Sequence, residues 1–394
     1  MPLRTRTEDI LFTLIGVLIL AACLRDGIGI TFDSYLYLLG GSYLLQNGFS
    51  DILAVPAFQA KPPVLSGLYA LLQNDLWLIR ISNLLFLGGS LWANFKFVNL
   101  LVGTTFFRRF IKALLATATP FMLVHSFLWS EPFFIFILSL YYLLSYQALA
   151  KPAITKQLYL LPLLGLLLVG LRHIGVVFAI VCSLYLLLHY KRFTKRQLIP
   201  VLLNVILPPL ALLGWHVGVL VHGSDTEAYN LLKDLDLMRN FLVYADVLKV
   251  WLVPPGLPFP NVLAVLAFII YGAVAVIAVK QSYSSELKHL VILFIVSATA
   301  YAGLMLFKGD LLVDDNERYL SVVYAPLTML LFYVVSNWAV QTTINRNLIY
   351  LLLLLWFSYP LVRTLYNANR WAHNGINAYN PALAPPEILE YSNP

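Results

Sequence analysis

Residues Phe32–Pro63, FDSYLYLLGGSYLLQNGFSDILAVPAFQAKPP, decide how this chain is read. They set an acid, a lysine and a proline pair into a sequence that is otherwise apolar, and ionisable groups beside a bilayer are usually functional. With Asp33 read as an N-cap, the apolar residues Tyr37, Leu38, Leu44 and Leu45 recur near helical spacing while Ser34, Ser42 and Gln46 take other positions. That spacing predicts a helix lying in the membrane interface, stopped by Asn47-Gly48. A second short segment starts at Ser50, and Lys61-Pro62-Pro63 opens a third. Prolines are tolerated in a first helical turn because the N–H groups they lack would have no partner there.

Outward from this stretch the chain reads as membrane. Of its 394 residues 60% are hydrophobic and 11% charged, and the mean hydropathy is +0.80. No soluble domain has enough polar surface to cover that much apolar side chain. The chain is therefore predicted to be an all-α polytopic membrane protein. A span needs roughly 20 apolar residues, and such runs fall near 10–25, 77–101, 110–128, 132–149, 158–171, 174–190, 198–221, 261–279, 289–307, 319–338 and 348–366, about eleven transmembrane helices. The pair 158–171 and 174–190 is one long run split by Arg172 and His173. No linker or repeat divides residues 1–394, so one membrane domain is expected. Within it stand a module at 1–190 containing the first outer loop (26–75), further helices at 191–366 with an outer loop at 222–260, and a short outer tail at 367–394.

Charge orients it. Alternate short loops carry Arg4, Arg6, Arg108, Arg109, Lys112, Lys151, Lys156, Lys191, Arg192, Lys195, Arg196, Lys280, Lys288 and Arg346 against Glu8, Asp9 and Glu286. By the positive-inside rule these loops and the N-terminus are cytoplasmic in a plasma or inner membrane. Asp33, Asp51, Glu131, Asp310, Asp314, Asp315 and Glu317 then face outward. The basic residues form no stripe with interleaved aromatics, so the formal charge of +7 speaks for membrane lipids and not for nucleic acid. Cys23 and Cys182 show no metal-ligand spacing and no support for a disulfide.

In order, the chain presents a first helix and an acid (Asp33) opening a helix with Tyr37 and a closing Gly48. Then come Lys61-Pro62-Pro63, Arg80 with Asn83, Trp129-Ser130-Glu131-Pro132, Leu171-Arg172-His173-Ile174-Gly175 and Glu317-Arg318-Tyr319. This order resembles the GT-C glycosyltransferases of the protein O-mannosyltransferase and lipid A aminoarabinose transferase group, chiefly over residues 10–190. The resemblance implies a GT-C-like bundle with amphipathic juxtamembrane helices in the first outer loop. It also implies an enzyme that moves a sugar from a polyprenyl-phosphate donor to a glycan, lipid or protein acceptor on the extracytoplasmic side. Asp33 is followed by Ser34, and position 36 is Leu36, where that group often has Asp-Glu and then a basic residue; this argues against aminoarabinose as the sugar.

Such a transfer needs a base for the acceptor hydroxyl and cations for the departing phosphate. Asp33 and Glu131 are the candidate catalytic acids, Lys61, Arg80, Arg172 and Arg318 the candidate phosphate ligands, and Tyr37 and His173 the candidate substrate contacts. Each has a plainer role beside it. Asp33 can cap its helix, and Lys61 and Arg80 can reach the headgroups. Glu131 can answer the helix dipole, and Arg172 can pair with an acid such as Glu131. No metal site is predicted, although Asp33 and Glu131 leave room for a shared divalent cation. The aromatic residues Tyr229, Tyr244 and Trp251 suit either a lid or an amphipathic surface segment. A flippase for a lipid-linked sugar, or a polysaccharide polymerase, would use similar charges differently placed.

Overall fold

The computed structural model describes residues 3–150, 155–222, 235–307 and 316–380. In chain order the helices are α1 (Leu3–Cys23), α2 (Phe32–Asn47), α3 (Pro56–Ala60), α4 (Pro63–Leu71), α5 (Leu76–Leu101), α6 (Thr105–Ala116), α7 (Thr119–Ser126), α8 (Glu131–Ala150), α9 (Thr155–Leu158), α10 (Leu160–Leu171), α11 (Gly175–Leu188), α12 (Lys195–His222), α13 (Leu237–Leu252), α14 (Pro260–Gln281), α15 (Ser285–Leu306), α16 (Asn316–Gln341) and α17 (Arg346–His373). Among the described residues seven helices, α5, α8, α12 and α14 to α17, are long and apolar enough to cross a membrane. α10 and α11 are apolar but shorter. Exposed leucine, isoleucine and valine side chains along α12, α14 and α17 are what a hydrocarbon solvent permits and water does not.

The run expected to span at 110–128 is instead two helices. α6 is amphipathic, burying Phe107, Phe110, Ile111, Leu114 and Leu115, and it ends at Thr117. Pro120 lacks the N–H that would continue it, so α7 starts afresh at Thr119. Summed hydropathy hid this break because it counts apolar residues without asking which face carries them.

The chain folds into two compact units that do not follow chain order: residues 1–19, 91–123 and 231–368 form the first, and 20–90, 124–230 and 369–394 the second. In the first, buried Asp9 of α1 pairs with the fully buried Lys112 at 2.6 Å and accepts from Asn99 at 3.1 Å. Lys112 therefore answers an internal acid rather than headgroups. Glu317 accepts from Arg363 at 2.5 Å and from the Trp251 indole at 3.1 Å. Tyr244 and Trp251 are buried on α13, so these two aromatic residues do not form an exposed covering face. Tyr229, Asp310, Asp314 and Asp315 lie outside the described residues.

In the second unit α10 packs on α4, α8, α11 and α12, and α2 packs on α4. Gly40 and Gly41 admit that approach, since a Cβ at Gly40 would lie 2.6 Å from Ser66 Oγ and one at Gly41 2.5 Å from Asn74 Oδ1. A buried polar knot, Asn204 with Tyr141 and Ser183, ties α12 to α8 and α11.

Candidate active site

The first-loop stretch folds almost as its residues predict, with one consequential difference. α2 begins at Phe32, its N-cap is Thr31, and the Thr31 N–H donates to Ser34 Oγ at 2.9 Å. Asp33 is thus in the first turn and is not the cap. Its carboxylate meets the Lys61 ammonium at 2.7 Å, both side chains about a quarter exposed. Gly48 closes α2 at φ 64°, and Lys61 stands between α3 and α4 with Pro62 as the α4 N-cap.

Several contacts bring the start of α2 beside the start of α8. The Trp129 indole donates to Thr31 Oγ1 at 2.8 Å, and the Gly29 N–H donates to the Ser126 carbonyl while the Gly29 carbonyl accepts from the Leu128 N–H, at 2.9 Å each. Gly29 has to be glycine, since a Cβ there would lie 2.3 Å from the Phe127 ring. Buried Asn83 of α5 holds the same strip by donating to the carbonyls of His125 and Phe127 at 2.9 and 3.2 Å. Two residues past Thr31 stands Asp33; two past Trp129 stands Glu131.

Glu131 is fully buried and its carboxylate carries the Arg172 guanidinium. The sharp α10–α11 turn presents Arg172 in extended backbone. Gly175 permits that turn, because a Cβ there would lie 2.3 Å from the Leu168 carbonyl oxygen. The neighbouring His173 ring lies 4.8 Å from that of His216 on α12. Burial first, then His216 and Lys61, lower the His173 pKa to about 4, so its imidazole is neutral at pH 7. Tyr69 of α4 is fully buried beside these groups; burial, then Tyr37 and Glu131, push its phenol well above the usual tyrosine range.

One unit therefore gathers Asp33, Lys61, Glu131, Arg172, His173 and Tyr37. Two members, His216 and Tyr69, were not singled out from the sequence. His216 was visible as a polar residue in the apolar run of α12, whereas Tyr69 gave no signal. Arg80 stands in a different setting. It donates to the carbonyls of Leu24 and Arg25 and to Asn377 Oδ1, and lies 5.2 Å from the Trp77 ring centroid. Arg318, buried over Tyr319, belongs to the first unit. Among the described residues no three His, Cys, Asp or Glu side chains converge on a point.

No protein-family model and no curated protein matches the sequence. Solved structures do match in fold. The oligosaccharyltransferase AglB of Archaeoglobus fulgidus, in complex with an inhibitory peptide and a dolichol-phosphate, aligns with a TM-score of 0.54 at 13% identity, over 93% of this chain and 56% of that one. ArnT of Cupriavidus metallidurans, bound to undecaprenyl phosphate, aligns at 0.51 and 12% identity, over 93% of this chain and 76% of that one. The chain shares the fold of these two proteins. This chain spans little more than half the length of the archaeal enzyme.

Proposed function

We propose that the chain transfers a glycosyl group from a polyprenyl-phosphate donor to an acceptor hydroxyl on the extracytoplasmic side. The observation that carries this reading is the Asp33–Lys61 pair, a partly exposed base and cation 2.7 Å apart in the unit that also holds the buried Arg172–Glu131 pair. Asp33 takes the proton as the acceptor oxygen bonds to the anomeric carbon. The bond from that carbon to the phosphate oxygen breaks, and its electron pair stays with the phosphate. Protonating Asp33 removes the counter-charge of Lys61 just as the leaving group gains charge, so the ammonium turns to the phosphate when it is needed. The displacement inverts the anomeric centre.

Glu131, with no exposed atom, does not reach an acceptor. It acts as a positioning residue that holds Arg172 towards the donor. Neutral His173, which is partly exposed, contacts the sugar, whereas Tyr37, expected from the sequence to do so, is buried in α2 and is left out. Arg80, engaged with backbone carbonyls, and Arg318, buried in the other unit, are both left out of the donor site. The fold likeness to proteins solved with a dolichol-phosphate and with undecaprenyl phosphate supports a lipid-phosphate donor.

The test is competition by free polyprenyl phosphate. A cation aimed at the phosphate contributes to donor binding and to turnover, whereas one that only reaches headgroups is replaceable by any long polar residue. Lys61→Gln is expected to fold normally, to need several-fold more polyprenyl phosphate for half inhibition, and to lose most transfer. Unchanged inhibition would remove Lys61 from the donor site. Orientation has its own check. Cysteines at Ser50 and Ser285, both exposed, are expected to label from opposite faces of sealed membranes, Ser50 from outside. Labelling of both from one face would overturn the extracytoplasmic placement.

A further inference from the structure

The segment that joins α1 to α2 is irregular, carries Gly27 and Gly29, and leads within a few residues to Asp33. Ile28 is bridged to Ile376, after α17, and Gly29 to Phe127, before α8. The Ile28 N–H donates to the Ile376 carbonyl at 3.2 Å, and the Ile376 N–H donates back to the Ile28 carbonyl at 2.8 Å. Gly27 makes this approach possible. Its φ is 131°, and a Cβ there would lie 2.5 Å from the Ile376 backbone. Across the bridge a Cβ on Gly375 would lie 2.6 Å from the Gly27 carbonyl oxygen.

Contacts continue on either side of the bridge. Before it, Arg25 donates to Asn369 Oδ1 at 2.9 Å, and Asp26 Oδ2 lies 3.6 Å from His373 Nδ1. Beyond it, the Tyr379 ring lies 6.0 Å from that of Tyr35, two residues past Asp33. Arg80 joins the two stretches from α5, its guanidinium donating to the carbonyls of Leu24 and Arg25 and, at 3.3 Å, to Asn377 Oδ1. One arginine thus ties the end of α1 to the segment after α17. Backbone that carries two glycines has wide conformational freedom of its own, so these bonds supply the order that the local sequence does not.

From these contacts we infer that residues 369–379, with Arg80 as their staple, are a positioning strap for Asp33. The inference rests on the transfer reading above and adds the part of the chain that keeps its base in place. The 126–128 strip holds the segment before α2 on one side and the strap holds it on the other. With the strap loosened, that segment pivots on its remaining bonds and carries the first turn of α2 with it. A base has to stay within hydrogen-bond reach of the acceptor hydroxyl, and a displacement of roughly 1 Å costs up to about 10²-fold in rate. Lys61, Arg172 and His173 are carried by other elements, so loosening the strap acts on turnover and spares the donor phosphate.

The test uses the full chain in lipid nanodiscs. Gly375→Val pushes the strap off Gly27, and Arg80→Met removes the staple while keeping a long side chain. Amide hydrogen exchange over residues 24–35 is expected to run roughly 10-fold faster in both variants than in the parent, with α4 and α8 unchanged. Turnover of a polyprenyl-phosphate sugar is expected to fall about 10-fold or more, while the free polyprenyl phosphate needed for half inhibition stays within about twofold of the parent's. Arg80→Lys, which still donates to carbonyls, is expected to recover much of both. Parental exchange over 24–35 in both variants, or parental turnover despite faster exchange, would overturn the inference. Exchange raised equally in α4 and α8 would overturn it too, since the strap would then serve only general stability. Weaker polyprenyl-phosphate inhibition in Arg80→Met with parental exchange would make Arg80 a donor ligand and remove the staple. Asp33→Asn separates the two readings. Normal transfer in Asp33→Asn, with faster exchange in the strap variants, would remove the chemistry and leave the strap as what orders this loop. Abolished transfer in Asp33→Asn, with parental exchange and turnover in the strap variants, would do the reverse.

Discussion

Replacing Asp33 by Asn is expected to lower the rate of glycosyl transfer by roughly 10² or more while leaving the protein folded. The substitution keeps the side-chain volume and an oxygen that can accept from Lys61, and removes only the charge and the basicity. It does not touch the helix cap, because Thr31 supplies that. Nor does it discard much stability, since the Asp33–Lys61 pair is about a quarter exposed and such pairs contribute on the order of 1 kcal/mol. Transfer from a polyprenyl-phosphate sugar in reconstituted membranes, read beside the thermal midpoint, provides the measurement. Near-normal transfer with an unchanged midpoint would leave Asp33 a structural ion pair and the transfer reading without its base.

Glu131→Gln is expected to act on stability first, costing about 3–5 kcal/mol. The carboxylate is completely buried against a guanidinium that is 15% exposed, so its removal leaves Arg172 charged, largely desolvated and without its counter-ion. The double variant Glu131→Gln/Arg172→Gln is expected to recover much of the loss, because contacting partners are not additive. Unfolding in detergent of the parent, both single variants and the double closes the cycle. Additive losses would mean that the two side chains act independently, and Arg172 would then not be positioned by Glu131. The contrast with Asp33 is informative. Two carboxylates two residues beyond bonded neighbours serve different ends because one is reachable from solvent and the other is not.

Much of the site was legible as residue types at local spacings. The acid at the start of α2, the glycine at its end and the Lys-Pro-Pro before α4 follow from capping and proline chemistry, which act within a turn or two and so are written in consecutive residues. The spans were legible for a similar reason, since hydrocarbon demands apolar side chains over a fixed length whatever the helix packs against. Where two demands met, local reading failed. α6 has apolar residues enough to pass for part of a span, yet it turns Lys112 onto Asp9 and stops at Thr117, and only the partner across the fold shows that this lysine is internal. Asp33 looked like a cap because acids favour helix starts, and Thr31 two positions earlier took that role through its bond to Ser34 and its contact with Trp129.

The amino-acid sequence by itself determined that this is a helical membrane protein, which stretch interrupts the membrane, and which ionisable residues stand at the ends of its helices. Each of those follows from solvent preference and local hydrogen bonding. Only the tertiary structure decided that Asp33 pairs with Lys61, that Glu131 is consumed by Arg172, that His173 faces His216, and that Arg80 clasps the carbonyls that follow α1. These are contacts between residues from 28 to 56 positions apart. Charge and hydrogen bonding act over a few ångströms of space, and the packing of α2 on α4 and of α10 on α8 and α12 sets those distances.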